Sequence, residues 1–598
     1  MLLKNDISAD YIKKLTGEQR KILCSEIRHL LVKTVTNTGG HLASNLGTVE
    51  LIVAMHTVFD TPKDKFVFDV GHQAYTHKII TGRAKKLNTI RTEDGISGFP
   101  KSVESEHDSF IGGHSSISIS AALGMAKAME LDGDDHSVVA VIGDGALTGG
   151  EAYEGLNNAG KTNCNLVVVL NENEMSISKN TGALALYLAQ LKSTQKYYKT
   201  KNSVKDILEN TPVIGKTLGS AARNTKRMLK FALYQSNLFE NLGFKYIGPI
   251  DGHNVEEMTE ALSVAKMMKR PCLVHVYTKK GKGYAPAEEN SGEYHGISPV
   301  NSASADTVTF TEAFGRELCD ISRTDENICT ITAAMKYGTG LQYFYKEFPE
   351  RFFDVGIAEE HAVTFSAGLA AGGKLPVFAV YSSFLQRSYD QLIHDCSIEK
   401  RHIVLAVDRA GFVGEDGETH HGMFDVPMLT TVPGSCIYSP SDNKELSFCL
   451  KKALYDDEGI AVLRYPRGAA FYDSGAKEYY SYRHISNGNK KIIFTYGRIT
   501  ANAILLSDKA DVLQAVRIYP IEEKILEILS AYDEIYFFEE AFESGSISEK
   551  ICARLIRNGY RGKVSVTAVN AFIPHNTVVN QLKIAGLDYE GMKKIIGE

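Results

Sequence analysis

The sequence predicts an α/β protein of three domains, each a mainly parallel sheet covered by helices. One observation is that short β-branched runs alternate with helical patterns almost throughout. The clearest strands fall at 66–70, 138–142, 166–170, 273–277, 377–381, 403–407, 461–464, 492–496 and 534–538. Continuous apolar strands separated by helices belong to parallel sheets buried on both faces. A second observation is length, since 598 residues exceed what one core holds. A third is a pair of seams. The stretch 292–305 is rich in Ser, Gly and Pro and precedes a fresh helix from Thr311, and 479–489 precedes the strand at Ile492. These divide the chain into 1–305, 306–480 and 481–598.

Composition narrows the function classes. Apolar residues make up 43% and charged residues 23%, enough for buried sheets, and the formal charge of −6 does not favour nucleic acid or an anionic membrane. Any anionic ligand must therefore be held by a local group of cations, helix ends or a metal. Residues 1–31 mix both signs of charge and lack the apolar centre of a leader. No stretch approaches the roughly 18 uncharged apolar residues that span a bilayer. Nine scattered cysteines without a Cys-x-x-Cys pair read as reduced core thiols. The expectation is a soluble, cytoplasmic protein without a membrane or nucleic-acid partner.

The most informative element is the run VVAVIGDGALTGG from Val138, followed by LVVVLNENEM from Leu166. A buried strand ends at Asp144, a helix follows over 151–158, and a second buried strand ends at 171–173. In such a βαβ unit both parallel strands deliver polar residues at their carboxyl ends. Asp144 and Asn173 can then share one cation, and their oxygen ligands suit Mg²⁺ that keeps phosphate oxygens in its octahedron. Gly143, Gly145 and Ala146 remove bulk, so that a diphosphate can approach backbone N–H groups at the following helix start. Alone, Gly-Asp-Gly is also a common tight turn. Paired with Asn-Glu-Asn-Glu at the end of the next strand, it resembles the metal–diphosphate motif of thiamine-diphosphate enzymes. The resemblance implies Asp144, Asn173 and the main-chain oxygen of Met175 as Mg²⁺ ligands.

Such a cofactor needs a second feature. Its aminopyrimidine acts as a base when a carboxylate hydrogen-bonds the far ring nitrogen, which calls for a buried Glu outside the diphosphate domain. In FFDVGIAEEH from Phe352, a strand runs toward Gly356 and a helix opens at Glu359 and continues through Ala371. Glu359 would sit at a helix N-terminus, where an ordinary acidic first turn is the plainer reading. The sequel VFAVYSSF from Val377 ends a strand with Phe384, a ring able to stack on a pyrimidine. With the metal motif first and the activating Glu second, the order matches the transketolase-like branch.

Histidines and arginines complete the set. His41, His72, His114 and His253 lie in GHLASNLG, DVGHQ, GGHSS and DGH motifs, where Gly allows close approach and His can move protons. His253 is assigned a structural role. The middle part carries Tyr381, Arg387, Arg409, Asp416, His420 and Arg467, and three arginines at turn-like strand ends suit bidentate phosphate capture.

The motifs HLASNLG, GHQAY, GHSS, GDGA, YIGPIDGH, KGKGYAPAE, GIAE, YSSFLQR and RYPRG together resemble the 1-deoxy-D-xylulose-5-phosphate synthase family over nearly the whole chain. The likeness thins over 191–230 and the last hundred residues. It implies a transketolase-like thiamine-diphosphate fold, thiamine diphosphate and Mg²⁺ as cofactors, and pyruvate and D-glyceraldehyde 3-phosphate as substrates. It also implies a homodimer with each active site between the first two domains of one subunit. The product feeds isoprenoid precursors and thiamine and pyridoxal synthesis. By the same resemblance His72, Gly113, His114, Ser115, Gly145, Ala146 and Tyr284 line the cofactor. Glu359 and Phe384 hold its pyrimidine. His41, His114 and His420 handle protons or substrate, and Tyr381, Arg387, Arg409 and Arg467 grip the acceptor phosphate with Asp416 nearby.

Five positions depart from the family pattern: Phe68 for Trp, Ile117 for Thr, Glu172 for Asp, Glu360 for Gln and His421 for Gln. A second carboxylate at Glu360 is expected to raise the pKa of Glu359. The basic stretch 191–230 reads either as a solvated helical excursion or as a mobile cover. Rival functions are transketolase, the thiamine-dependent component of a 2-oxoacid dehydrogenase, and a catalytically inert paralogue.

Overall fold

The computed structural model describes residues 2–3, 7–173, 183–198, 237–297 and 307–597. Met175 and residues 199–230 of the basic stretch lie outside the described residues. Two compact units emerge. One comprises Met1–Thr36, His41–Leu87 and Phe99–Ile297; the other comprises Ser298–Glu598 with the short segments Asn37–Gly40 and Asn88–Gly98.

The first unit is built on β1 (Lys65–Phe68), β2 (Val138–Gly143), β3 (Leu166–Glu172), β4 (Lys245–Asp251) and β5 (Cys272–Tyr277), in the order β1-β2-β3-β5-β4. All pairings are parallel. Val138, Ala140, Ile142, Leu166, Val168 and Leu170 pack against the covering helices. The first predicted strand stops early, at Phe68, because Val70 adopts a φ of 57° and turns the chain out of the sheet. The strand β4 escapes the sequence pattern because Gly248-Pro249 interrupts it, and its register shifts there.

The second unit holds two sheets. One contains β6 (Ile328–Thr332), β7 (Phe352–Asp354), β8 (Leu375–Tyr381), β9 (Ile403–Asp408), β10 (Ser435–Tyr438) and β11 (Ile460–Arg464). The other contains β12 (Tyr482–Ile485), β13 (Lys491–Tyr496), β14 (Asp511–Ala515), β16 (Glu534–Phe542) and β17 (Lys563–Val569), in the order β12-β14-β13-β16-β17. The short strand β15 (Arg517–Tyr519) leaves the latter and pairs antiparallel with β10, giving the order β15-β10-β11-β9-β8-β6-β7. Phe378 and Val462 share one apolar cluster with Phe494, Phe537 and Ile551, so the two sheets of this unit have a common core. Local rules place its helices. Thr309 and Glu312 form a capping box before Phe310–Ser322, and Glu359–Ala371 is a helix over the span expected.

All nine cysteines are free thiols and eight are buried. Among the described residues no helix is long and apolar enough to cross a membrane.

Candidate active site

In the first unit the tips of β2 and β3 adjoin as the βαβ reading requires. Gly143 pairs with Asn171, and the Asp144 carboxylate accepts the Gly145 N–H at 3.1 Å and the Asn173 N–H at 3.2 Å. Asp144 is therefore buried, fixed by backbone donors, and next to Asn173. Among the described residues nothing lies within 4 Å of where a Cβ on Gly143 would be, so the strand end leaves an open cradle. The helix start differs from expectation. A single 3₁₀ turn, Ala146–Thr148, intervenes before the helix Gly150–Ala159.

A second loop joins this cradle. Ser116 donates its hydroxyl to the Ala146 carbonyl at 2.7 Å, while the Asp69 carboxylate accepts the Ser116 and Ser118 N–H groups at 2.7 and 2.9 Å. Gly113 N–H donates to Val70 C=O at 2.6 Å and Val70 N–H to His114 C=O at 3.3 Å. The two chain segments cross so closely that a Cβ on Gly71 would lie 2.5 Å from Pro100 and one on Gly112 2.7 Å from the Val70 carbonyl. His72, Gly113, His114 and Ser115 are thus carried on one interlocked pair of loops.

The rings of His41, His72 and His295 form a triangle with centroids 5.1–5.6 Å apart. Asn45 ties the first two together, donating to the His41 and His72 carbonyls at 2.6 and 2.7 Å. The sequence pattern passes over His295 because it lies in a stretch that reads as a seam; its only signal is a His-Gly after an aromatic residue. Lys280 is missed too. Burial lowers its ammonium to about 8, against the attraction of Asp144. Its loop, which also carries Tyr284, is held by His253. The His253 Nε2 accepts the Lys279 N–H at 2.9 Å and its Nδ1 lies 3.1 Å from the Glu50 carboxylate, a structural role as expected.

In the second unit Glu359 is 3% exposed and opens its helix without a capping side chain. Among the described residues its Oε2 has no hydrogen-bond partner, and the Arg387 guanidinium stands 3.9 Å away. Burial pushes the carboxyl up to about 7, against Arg387 and the Glu359 backbone N–H, and Glu360 adds to the rise. The neighbouring carboxylate thus acts in the expected direction, but desolvation leads. Tyr381 and Phe384 stack at 5.5 Å, the His420 ring meets Phe384 edge-on at 5.4 Å, and the Arg409 guanidinium lies 3.9 Å above the Tyr381 ring. Arg467 donates to the Val413 carbonyl at 2.6 Å and to Glu415 at 3.0 Å, and Asp416 pairs with Arg91 of the same unit at 3.0 Å. Burial pushes Asp408, beside Arg409, up to about 6. It is a further carboxyl that no motif marked.

The departures have physical counterparts. Phe68 packs on His77 at 5.0 Å, and Glu172 reaches His275 Nε2 at 2.8 Å. Ile117 cannot cap the helix Ser118–Leu131, and Asp69 supplies the missing acceptor. His421 accepts the Val413 N–H on Nδ1 at 3.2 Å and donates from Nε2 to the Ile573 carbonyl at 3.0 Å. A neutral imidazole thereby offers one acceptor and one donor, as an amide would. Burial lowers its pKa to about 4.

Comparisons with known proteins identify the family. A family model described as transketolase, pyrimidine binding domain, matches residues 306–471, the part that carries Glu359 and the arginines. The chain is a transketolase-like enzyme that uses thiamine diphosphate. A second model, described as 1-deoxy-D-xylulose-5-phosphate synthase, matches residues 3–278. Proteins of that name from Clostridium kluyveri and Pelotomaculum thermopropionicum are 46% and 44% identical, covering 98% and 100% of this chain and 97% of each relative. The chain belongs to the 1-deoxy-D-xylulose-5-phosphate synthase family, and transketolase is not the better reading.

Proposed function

We propose that the enzyme joins pyruvate, with loss of CO₂, to D-glyceraldehyde 3-phosphate, giving 1-deoxy-D-xylulose 5-phosphate. The observation that carries the reading is Glu359: a buried carboxyl at a helix start, with one oxygen lacking a hydrogen-bond partner among the described residues and the Arg387 guanidinium 3.9 Å away. The orphaned oxygen fits the pyrimidine of thiamine diphosphate, and, within the first unit, the open space at Gly143 fits a diphosphate with Mg²⁺. Asp144, Asn173 and Met175 would hold the metal, and His72, Gly113, His114, Ser115, Gly145, Ala146 and Tyr284 the diphosphate side. Glu359 and Phe384 would hold the pyrimidine. The chemistry such a cofactor supplies is a nucleophilic carbon that keeps the electrons left when a 2-oxoacid loses CO₂.

The residues divide the remaining work. Glu359, with its pKa near neutrality, holds a proton at the pyrimidine nitrogen. His41, His114 and His420 move protons at the reacting carbon and oxygens. Tyr381, Arg387, Arg409 and Arg467 bind the acceptor phosphate, whose charge the arginines offset in a low-dielectric pocket. The domain scheme 1–305, 306–480 and 481–598 and a homodimer belong to the same proposal. So does a cytoplasmic location, supported by the unpaired thiols.

The test is CO₂ release from pyruvate by purified protein with thiamine diphosphate and Mg²⁺, with and without the aldehyde phosphate. Release that rises sharply with the aldehyde, together with a deoxyketose phosphate, is the expected result. Ketol transfer from a ketose phosphate without CO₂ would replace it with transketolase chemistry, and no turnover with either donor would indicate an inert paralogue.

A further inference from the structure

The loop 411–421 links the acceptor-side residues. Arg409 precedes it, Asp416 and His420 lie on it, and Arg467 donates to its Val413 carbonyl. Little of this loop is held by its own sheet. Gly411 and Gly422 pair with each other, whereas Phe412 and Gly414 take side-chain partners from residues 498–598.

Gln581, fully buried on the helix Val578–Ile584, makes two of these contacts. Its side-chain Oε1 accepts the Gly414 N–H at 3.0 Å, and its Nε2 donates to the Gly414 carbonyl at 2.9 Å. The amide thus pairs with both backbone groups of one residue, as a neighbouring strand would. Gly414 needs such a partner, because its φ of 86° keeps it out of any regular ladder. Glu540, at the far end of β16, adds a second hold by accepting the Phe412 N–H at 2.7 Å. Arg498, paired with Glu540, donates to the Phe412 carbonyl at 2.8 Å and to the Arg467 carbonyl at 3.3 Å. The imidazole of His421 closes the loop against the Ile573 carbonyl.

We infer that Gln581 is a positioning residue for acceptor recognition: the C-terminal helix Val578–Ile584, through this amide, sets where the loop presents Arg409, Asp416 and Arg467 to a phosphorylated aldehyde. The inference rests on the proposed reading of those residues as the acceptor-phosphate site. Gln581 touches no reacting atom in this assignment. Its loss leaves the Gly414 N–H buried without its acceptor, while the Gly414 carbonyl keeps the Gly417 and Asn576 N–H groups, and the loop relaxes to solvate the N–H.

The holoenzyme with Gln581→Ala, and with Gln581→Met to keep the volume while removing the amide, is assayed with D-glyceraldehyde 3-phosphate and with unphosphorylated D-glyceraldehyde. The expected result for each folded variant is a rise of about tenfold or more in KM for the phosphorylated aldehyde. Its kcat, the KM for pyruvate and kcat/KM for the unphosphorylated aldehyde should stay within about twofold of the parent. Equal losses with both aldehydes would reduce Gln581 to a general structural residue and overturn the inference, as would unchanged KM in the Gln581→Met protein. A parent enzyme that shows no preference for the phosphorylated aldehyde would overturn the acceptor-site reading itself.

Discussion

The candidate site residues of the two units are supported in opposite ways. In the first unit, recognition elements are backbone: strand ends, crossing glycines and N–H groups gathered around Asp144 and Asp69, with Lys280 as the buried cation. In the second unit they are charged and aromatic side chains, namely Glu359, Arg387, Arg409 and Tyr381, stacked and partly stripped of water. A diphosphate held by backbone and a metal needs little long-range support, since the βαβ unit supplies its own geometry. Side-chain charges brought together by burial need supports from elsewhere, and the loop after Arg409 takes its own from the C-terminal strand residue Glu540 and helix residue Gln581. One set is therefore robust to distant change and the other is exposed to it.

The sharpest way to break this comparison is at Glu359. Glu359→Ala should lower turnover by about 10²–10⁴-fold while leaving cofactor binding largely intact, as measured by steady-state kinetics and calorimetry. Parent-like turnover would remove Glu359 from its role. The same residue also predicts a pH effect. Its folded pKa of about 7 lies above the 4.5 of an exposed glutamate, so its contribution to stability is fully present below pH 4.5 and is lost as pH rises through 7. Cofactor-free Glu359→Gln should therefore be more stable than the parent at pH 8, by on the order of 3 kcal/mol, with the gap closing near pH 4.5. Thermal denaturation across that range reads it, and a pH-independent difference would contradict the desolvated carboxyl.

On the backbone-built side, Asp144→Ala should weaken Mg²⁺-dependent cofactor binding by at least about tenfold in calorimetry, with the fold intact by circular dichroism. Unchanged affinity would move the metal elsewhere. The smallest effect is expected at His421. Its donor–acceptor pattern is that of an amide, so His421→Gln should change stability by less than about 1 kcal/mol in denaturant titration. His421→Ala should cost about 1–3 kcal/mol by leaving a buried N–H and C=O unpaired. Equal costs for the two variants would show that the imidazole is not acting as an amide.

Much of this was legible in the chain because the signals are local. All nine strands named from apolar runs occur, the helix Glu359–Ala371 spans the residues expected, and Asp144 and Asn173 meet at adjacent strand tips. Apolar period, capping chemistry and strand-end polarity are properties of a few consecutive residues, so a sequence determines them directly. The early end of β1 and the extra 3₁₀ turn before Gly150 were not legible, because each answers to a neighbour far along the chain.

By itself, then, the sequence determined the α/β class and marked Asp144, Asn173 and Glu359 as candidate site residues. Only the tertiary structure decided which groups are pushed out of their usual protonation range and what holds them. Lys280, Asp408 and Glu359 are shifted because burial removes water from a charge, and burial is a sum over distant segments. His295 joins His41 and His72, and Gln581 meets Gly414 across 167 positions of chain, through folding alone.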